Sequence, residues 1–237
     1  MYYLDLTLPS APANLACDEV LLDACQEDSG AEVLRFWEPR DYFVVAGFSN
    51  AVSREANLEA CRRAGVGVFR RCSGGGTVLQ GPGCLNYSLA LSITGRPELE
   101  TIPAANRHIM ARHREAVSAA VGQAVEIRGL TDLAIGGLKF SGNAQRRKRR
   151  ALIFHGTFLL QFDLGLMEKF LTMPSREPEY RQGRPHAHFL MNLNAPALAI
   201  KTALRDAWLA ATELGTVPDC RRLVAEKYSR DEWNLKF

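Results

Sequence analysis

The stretch Arg70-Arg-Cys-Ser-Gly-Gly-Gly-Thr-Val-Leu-Gln-Gly-Pro-Gly83 sets two arginines before three consecutive glycines and closes on Gly-Pro-Gly. Glycine gives up more backbone freedom on folding than any other residue, so a run of three in an ordered chain needs a reason. It is not a P-loop: Gly76 is followed by Thr77-Val78 rather than Lys-Ser/Thr, and no lysine occurs between positions 52 and 138. Nor is it a dinucleotide fingerprint, because no GxGxxG opens a helix here and a strand-like run, Cys84-Leu-Asn-Tyr-Ser-Leu-Ala-Leu91, follows instead. Successive glycine N–H groups form an anion-binding concavity, arginines bind carboxylate or phosphate beside it, and a bare backbone lets a long thin ligand lie close. The segment therefore predicts a site for an anion attached to something apolar, against the plainer reading of a glycine-rich turn.

Around it, the hydrophobic pattern predicts strands at the N-terminus (YYLDLTL), at EVLRFW and FVVAGF, at VGVFR and LNYSLALSI joined through the glycine segment, and at AVEIRG, DLAIGGLKFSGNAQ and ALIFHGTFLLQFD. Helices are expected at ANLACDEVLLDAC, at SREANLEACRRAG with Ser53 as N-cap and Gly65 as C-cap, from Thr101 to about Ala120, and at LGLMEKFLT. A polar loop from Met173 to about His188 precedes two closing helices, PALAIKTALRDAWLAATEL and PDCRRLVAEKYS. The pattern predicts one mixed α+β domain over 1–237, with a sheet-rich core flanked by helices, rather than regular βαβ alternation.

The chain has 237 residues, 47% of them hydrophobic and 23% charged. No apolar run is long enough for a membrane span, and the N-terminus lacks a signal peptide's pattern. Six cysteines without CxxC spacing suggest reduced thiols in a cytoplasmic protein. A net charge of +3 does not by itself argue for nucleic acid. The basic run Arg146–Arg150 is open to three readings: a solvated hairpin turn, a dock for an acidic acceptor domain, or non-specific RNA affinity.

Two further stretches carry chemistry. Lys139 stands among small residues in GGLKFSGNAQRR, which leaves its ammonium free for a phosphate or a developing oxyanion. His155-Gly156-Thr157 interrupts an apolar strand, opening space and adding a hydroxyl. Together, RRCSGGGTVLQGPGCLNYS, GLKFSGNAQRR, ALIFHGTFLL and YRQGRPHAHFLMNL resemble the lipoate–protein ligase A family, including short forms that lack a C-terminal accessory domain. That family belongs with biotin ligases and lipoyl/octanoyl transferases, on a core related to class II aminoacyl-tRNA synthetases.

The resemblance implies that Arg71, Ser73, Gly74, Gly75, Gly76, Thr77 and Asn86 hold the lipoyl chain and its carboxyl. It implies that Lys139 contacts the acyl carbonyl and the adenylate phosphate, with Val78, His155, Gly156, Thr157 and Arg184 beside the nucleotide, and Arg181 and His186 as further candidates. Asp132 is implied as a magnesium contact. ATP and Mg2+, lipoate or octanoate, a lysine-bearing acceptor protein and a separate accessory subunit are the implied substrates and partners, with neither nucleic acid nor membrane among them. Where family loops usually read HDxGNxNYS, this chain reads QGPGCLNYS, and Gly-Pro-Gly at this place resembles the octanoyltransferase branch. Such transferases carry the acyl group on a cysteine, either just upstream of the lysine motif or in a Pro-Cys-Gly after the HG strand. The first place holds none and the second reads Pro174-Ser175. An ATP-dependent ligase is therefore the expectation, with a transferase or an adenylate-transferring subunit as the alternative.

Overall fold

The computed structural model describes residues 1–27 and 30–237. Among the described residues, eleven strands form two sheets: β1 (Tyr2–Asp5), β2 (Val33–Trp37), β3 (Phe43–Ala46), β4 (Gly67–Arg70), β5 (Val78–Gln80), β6 (Cys84–Ser92), β7 (Glu126–Arg128), β8 (Asp132–Ile135), β9 (Leu138–Arg147), β10 (Ala151–Leu159) and β11 (Thr212–Glu213). The larger sheet runs β11-β1-β2-β6-β10-β9-β8-β7, and the smaller runs β4-β3-β5. The architecture is mixed α+β, as the pattern predicts.

Alternation along β6 decides which layer covers which face. Leu85, Tyr87, Leu89 and Leu91 point to one side, where they pack with Ile109 and Val117 of α4 (Ile102–Val121) and Ile200 and Leu204 of α6 (Ala197–Ala207). Ala90 points to the other, beneath Leu15, Leu21 and Leu22 of α1 (Ala11–Cys25). Burying each of these large side chains contributes about 1.5–3 kcal/mol, and β6, covered on both faces, is buried almost throughout. A third cluster packs Val44, Ala46 and Leu79 of the small sheet against Val52 of α2 (Val52–Glu55), Cys61 of α3 (Leu58–Ala64) and Met167 and Phe170 of α5 (Gly165–Phe170).

Local chemistry sets the ends. Ser10 Oγ accepts from Ala13 N, Thr101 Oγ1 accepts from Ala104 N, and Gly122 ends α4 in the left-handed conformation. Arg35, fully buried, ties β2 to α1 through Asp18 Oδ1 at 2.7 Å and Asn14 Oδ1 at 2.6 Å. Arg70 is equally buried: Nη1 donates to the carbonyls of Gly47 and Asn50, and Nε donates to that of Trp233. All six cysteines are free and buried.

Four sequence expectations need correction. The helix expected from Ser53 to Gly65 is two helices, because Ala56 is extended and bridges Leu171; Asn57, not Ser53, caps the second. β4 and β6 form as expected, in different sheets, but the segment that joins them holds a further strand, β5. DLAIGGLKFSGNAQ is two strands, since Gly136 and Gly137, both at positive φ, turn β8 back into β9. The helix expected over 196–214 stops at Ala207: Leu209 takes φ 51°, and Thr212–Glu213 instead pairs with Tyr2–Tyr3. The basic run closes the β9–β10 hairpin; Lys148 pairs with Asp23, and Arg147 donates to the carbonyls of Leu99 and Glu100. Among the described residues no helix is long and apolar enough to cross a membrane.

His113 of α4 lies inside this core, where its Nε2 accepts from Trp208 Nε1 at 2.8 Å. Burial, reinforced by Arg112, pushes its pKa down to about 3. An unfolded histidine takes a proton near pH 6.5, whereas the folded one stays neutral far below that, so its contribution is complete above 6.5 and is lost as pH falls toward 3. Urea unfolding between pH 7 and 5 should show wild-type stability dropping by up to about 1.4 kcal/mol per pH unit more than that of His113→Gln. Equal slopes would contradict a neutral buried imidazole.

Candidate active site

A cavity of about 600 Å3 opens between the small sheet with its glycine loop, β9 and β10 of the large sheet, and the 171–190 segment. Leu15, Trp37, Val45 and Val78 make one stretch of its wall apolar, and Asn86, Lys139, Asn143, His155 and Thr157 supply polar groups.

Arg71 organises the loop from within. Its Nε donates to Ser73 Oγ (3.1 Å) and the Gly74 carbonyl (3.1 Å), and its Nη2 donates to the carbonyls of Gly74 (2.6 Å) and Gly76 (2.7 Å). Burial pulls its pKa down to about 10, which leaves it charged at neutral pH. Gly75 sits at φ 87°, and a Cβ there would come within 2.8 Å of Arg71 Nη2. Ser73 Oγ lies 2.5 Å from His155 Nε2. Burial pushes the His155 pKa down to about 4, so the ring is neutral and shares one hydrogen bond with the Ser73 hydroxyl, its direction set by the imidazole tautomer.

Below the loop, Gln80, Asn86 and Thr157 close a ring. Gln80 Nε2 donates to Thr157 Oγ1 (2.7 Å), Thr157 Oγ1 to Asn86 Oδ1 (2.5 Å), and Asn86 Nδ2 to Gln80 Oε1 (2.9 Å). Every member is satisfied, which fixes this part of the wall. Register places it: Thr157 faces Asn86 across β10 and β6, while His155 pairs with Ser88 two residues along.

Lys139 points from β9 to Asp132 Oδ1 at 2.8 Å, and Asp132 Oδ2 accepts from Tyr180 OH at 2.8 Å. Burial and the Asp132 charge push the Tyr180 pKa up, so the phenol keeps the proton it donates. Asn143 is fixed beside them, its Oδ1 accepting from Tyr87 OH and its Nδ2 donating to the Thr131 carbonyl. The side chain occupies space that Gly156 leaves open, as a Cβ there would meet Asn143 Oδ1.

Of the residues expected to hold the acyl group, Arg71, Gly75, Gly76, Thr77 and Asn86 line the cavity, whereas Ser73 and Gly74 stand behind it. Of those expected beside a nucleotide, Val78, Lys139, His155, Gly156 and Thr157 line it, as do Asp132, Arg181 and His186. Arg184 does not: it stacks on Phe189 and donates to the carbonyls of Arg181 and Tyr180. Asn143, Tyr180 and Glu55 were not expected. Glu55 reads in the sequence as an ordinary first-turn helix acid. No cysteine lines the cavity among the described residues, and burial pushes the Cys72 and Cys84 thiols up to about 12.

The lipoyl protein ligase A/B catalytic domain family matches residues 10–198, most of the chain and all of this cavity's glycine loop, lysine strand and histidine strand. The chain belongs to that family. Among its relatives are the octanoyltransferase LipM of Lysinibacillus sphaericus, 25% identical over 99% of this chain and 98% of that one, and a Mycoplasma pneumoniae protein named "Probable lipoate-protein ligase A", 29% identical over 94% and 67%. The fold matches a lipoate-protein ligase A solved with ATP bound (TM-score 0.84, 22% identity, 99% of each chain). It also matches the bi-partite lipoate protein ligase of Thermoplasma acidophilum, studied with its E2 lipoyl domain (0.83, 22%, 99% and 95%).

Within this family site, Gly142 gives a clean test of Lys139. A Cβ at 142 would come within 2.8 Å of Lys139 Nζ and 2.9 Å of Cε, the mobile end of a flexible side chain. Gly142→Ala should therefore leave thermal stability nearly unchanged while displacing the ammonium from Asp132. Acyl transfer should fall roughly 10-fold or more, the scale on which misplacing one charged group is felt. Full activity in a well-folded Gly142→Ala protein would contradict the ion pair's role.

Proposed function

We propose that this chain is an ATP-dependent lipoate–protein ligase, which converts lipoate and ATP to lipoyl-AMP and passes the lipoyl group to a lysine of an acceptor protein. One observation carries the reading: the cavity presents a lysine ammonium held by a carboxylate, and among its described lining residues there is no thiol. A carboxylate cannot acylate an amine at neutral pH until its oxygen becomes a good leaving group. In the first step a carboxylate oxygen bonds to the α-phosphorus and pyrophosphate leaves; in the second the acceptor amine bonds to the acyl carbon, loses its proton, and AMP leaves.

The residues divide this work. The apolar wall takes the acyl chain, and the glycine loop lies over it without side chains in the way. Lys139 is a compact positive charge for the carbonyl oxygen and the phosphate, both of which gain or share negative charge in each step. Asp132 and Tyr180 aim it. Magnesium fits as the nucleotide's own ion: no group of three His, Cys, Asp or Glu side chains able to hold a metal occurs among the described residues, and Mg2+ is often held mainly by substrate phosphates with one or two carboxylates. Asp132 would supply the protein's share and the ion would offset phosphate charge.

A second reading, transfer from an octanoyl thioester through a cysteine, is favoured by the near full-length similarity to octanoyltransferase LipM. It requires a thiolate at the cavity, which no described cysteine lines; Cys72 and Cys84 are buried elsewhere with raised pKa. The bi-partite Thermoplasma acidophilum relative supports a form of the first reading in which a separate accessory subunit assists activation.

Lipoate-dependent exchange of labelled pyrophosphate into ATP tests the first step. Lys139→Ala should slow it about 30- to 1,000-fold while the protein stays folded, and Cys72→Ala with Cys84→Ala should retain it. Exchange at the wild-type rate in Lys139→Ala, or an acyl thioester trapped on either cysteine, would sink the proposal.

A further inference from the structure

Glu55 is a buried carboxylate that this chemistry leaves without a task. It ends α2 at 5% exposure and lines the cavity. Its Oε2 accepts from Asn50 Nδ2 at 2.5 Å and from the backbone N–H of Thr77 at 3.2 Å; its Oε1 accepts from Ser175 Oγ at 2.5 Å. Burial works against its charge, but the hydrogen bonds from Ser175, Thr77 and Asn50 outweigh it and hold the carboxyl below the ordinary glutamate range. Thr77 closes the glycine loop, and Ser175 stands in the 173–188 loop. The backbone beside Glu55 anchors the base of that second loop: Thr172 N donates to the Glu55 carbonyl and Thr172 Oγ1 to that of Arg54.

We propose that Glu55 is a positioning residue that makes the order of the glycine loop and the order of the 173–177 segment depend on one another. The inference rests on the reading that an acyl chain lies under the first loop and a nucleotide beside the second. Its physics is that of a shared acceptor. A buried carboxylate that loses one of its donors is left underbonded, at the full desolvation cost of that lone pair. A loop that swings away therefore destabilises the ion that the other loop also uses. Conversely, a ligand that orders one loop completes the shell of Glu55 and favours the closed form of the other.

The chemistry of the two oxygens separates positioning by charge from positioning by hydrogen bonding. In Glu55→Gln the amide oxygen can still accept from Asn50 and Thr77, and the amide NH2 can donate to Ser175, whose hydroxyl turns round to accept. Glu55→Ala can do neither. Glutamine should rescue most of what alanine loses.

Two local readouts on the ligand-free full chain test this. Hydrogen exchange of the Thr77 amide reports the first loop, and tryptic cutting after the exposed Arg176 reports the second. Glu55→Ala should speed both by roughly ten-fold or more, the scale of a lost hydrogen bond to a charged acceptor, and Glu55→Gln should stay within about three-fold of wild type. The deciding variant is Ser175→Ala, which keeps Glu55 and touches only the second loop; it should still speed exchange at Thr77. Added lipoate should slow cutting after Arg176 in wild type and not in Ser175→Ala. Unchanged Thr77 exchange in Ser175→Ala, or unchanged cutting in Glu55→Ala, overturns the coupling. If Glu55→Ala does not fold, the Ser175→Ala comparison decides alone. Because the exchange and cutting rates of the ligand-free protein decide the coupling, a protein that fails to use ATP would refute the ligase reading and leave this test standing.

Discussion

Three glycines have no side chains with which to hold a shape, yet this cavity depends on their holding one. Arg71 supplies what they lack. Its guanidinium points into its own loop and spends its donors on the carbonyls of Gly74 and Gly76 and on Ser73 Oγ. The three glycines are exposed, so without those donors their carbonyls would turn to water and the loop would lose its one arrangement. Ser73 in turn meets His155 on β10, so the same arginine anchors the small sheet's loop to the large sheet. A lysine could not replace it, since a point charge has no planar fork to span two carbonyls and a hydroxyl.

From that anchor the opposite wall acquires its meaning. β10 presents His155 and Thr157 toward the loop, and β9 beside it presents Lys139, Gly142 and Asn143. Gly142 and Gly156 are absences of side chain that make room for Lys139 and Asn143 respectively. The site thus sets an ammonium, paired with an Asp132 that Tyr180 holds in turn, beside the neutral side chains of Asn143, His155 and Thr157. Such an arrangement suits negative charge that appears on oxygen and leaves again; among the described residues that line it there is no thiol to carry an acyl group.

Much of this was legible in the sequence, and what was not has a common cause. The glycine run announced a site because its local cost had no local explanation, and Lys139 stood out among small residues. What failed were features settled by distant partners. That Arg71 also satisfies the carbonyls of Gly74 and Gly76 shows only in the folded loop. Residues 208–214 continue a helical pattern well, but Leu209 turns out of it and Thr212–Glu213 pairs with the first strand some two hundred positions earlier. Glu55 carries no signal at all, since a first-turn helix acid looks the same whether it faces solvent or collects donors from two loops. The Ser53 cap failed similarly, to an extended Ala56 that bridges Leu171.

The central claim is that this family site activates a free acid rather than relaying a thioester. The most direct measurement is the intact mass of an isolated lipoyl acceptor domain after incubation with this protein, lipoate, ATP and magnesium, set beside a parallel incubation with an octanoyl thioester and no ATP. The account predicts one lipoyl addition in the first, lost when the acceptor lysine is replaced, and none in the second. Octanoylation without ATP, with no modification from lipoate and ATP, would contradict it.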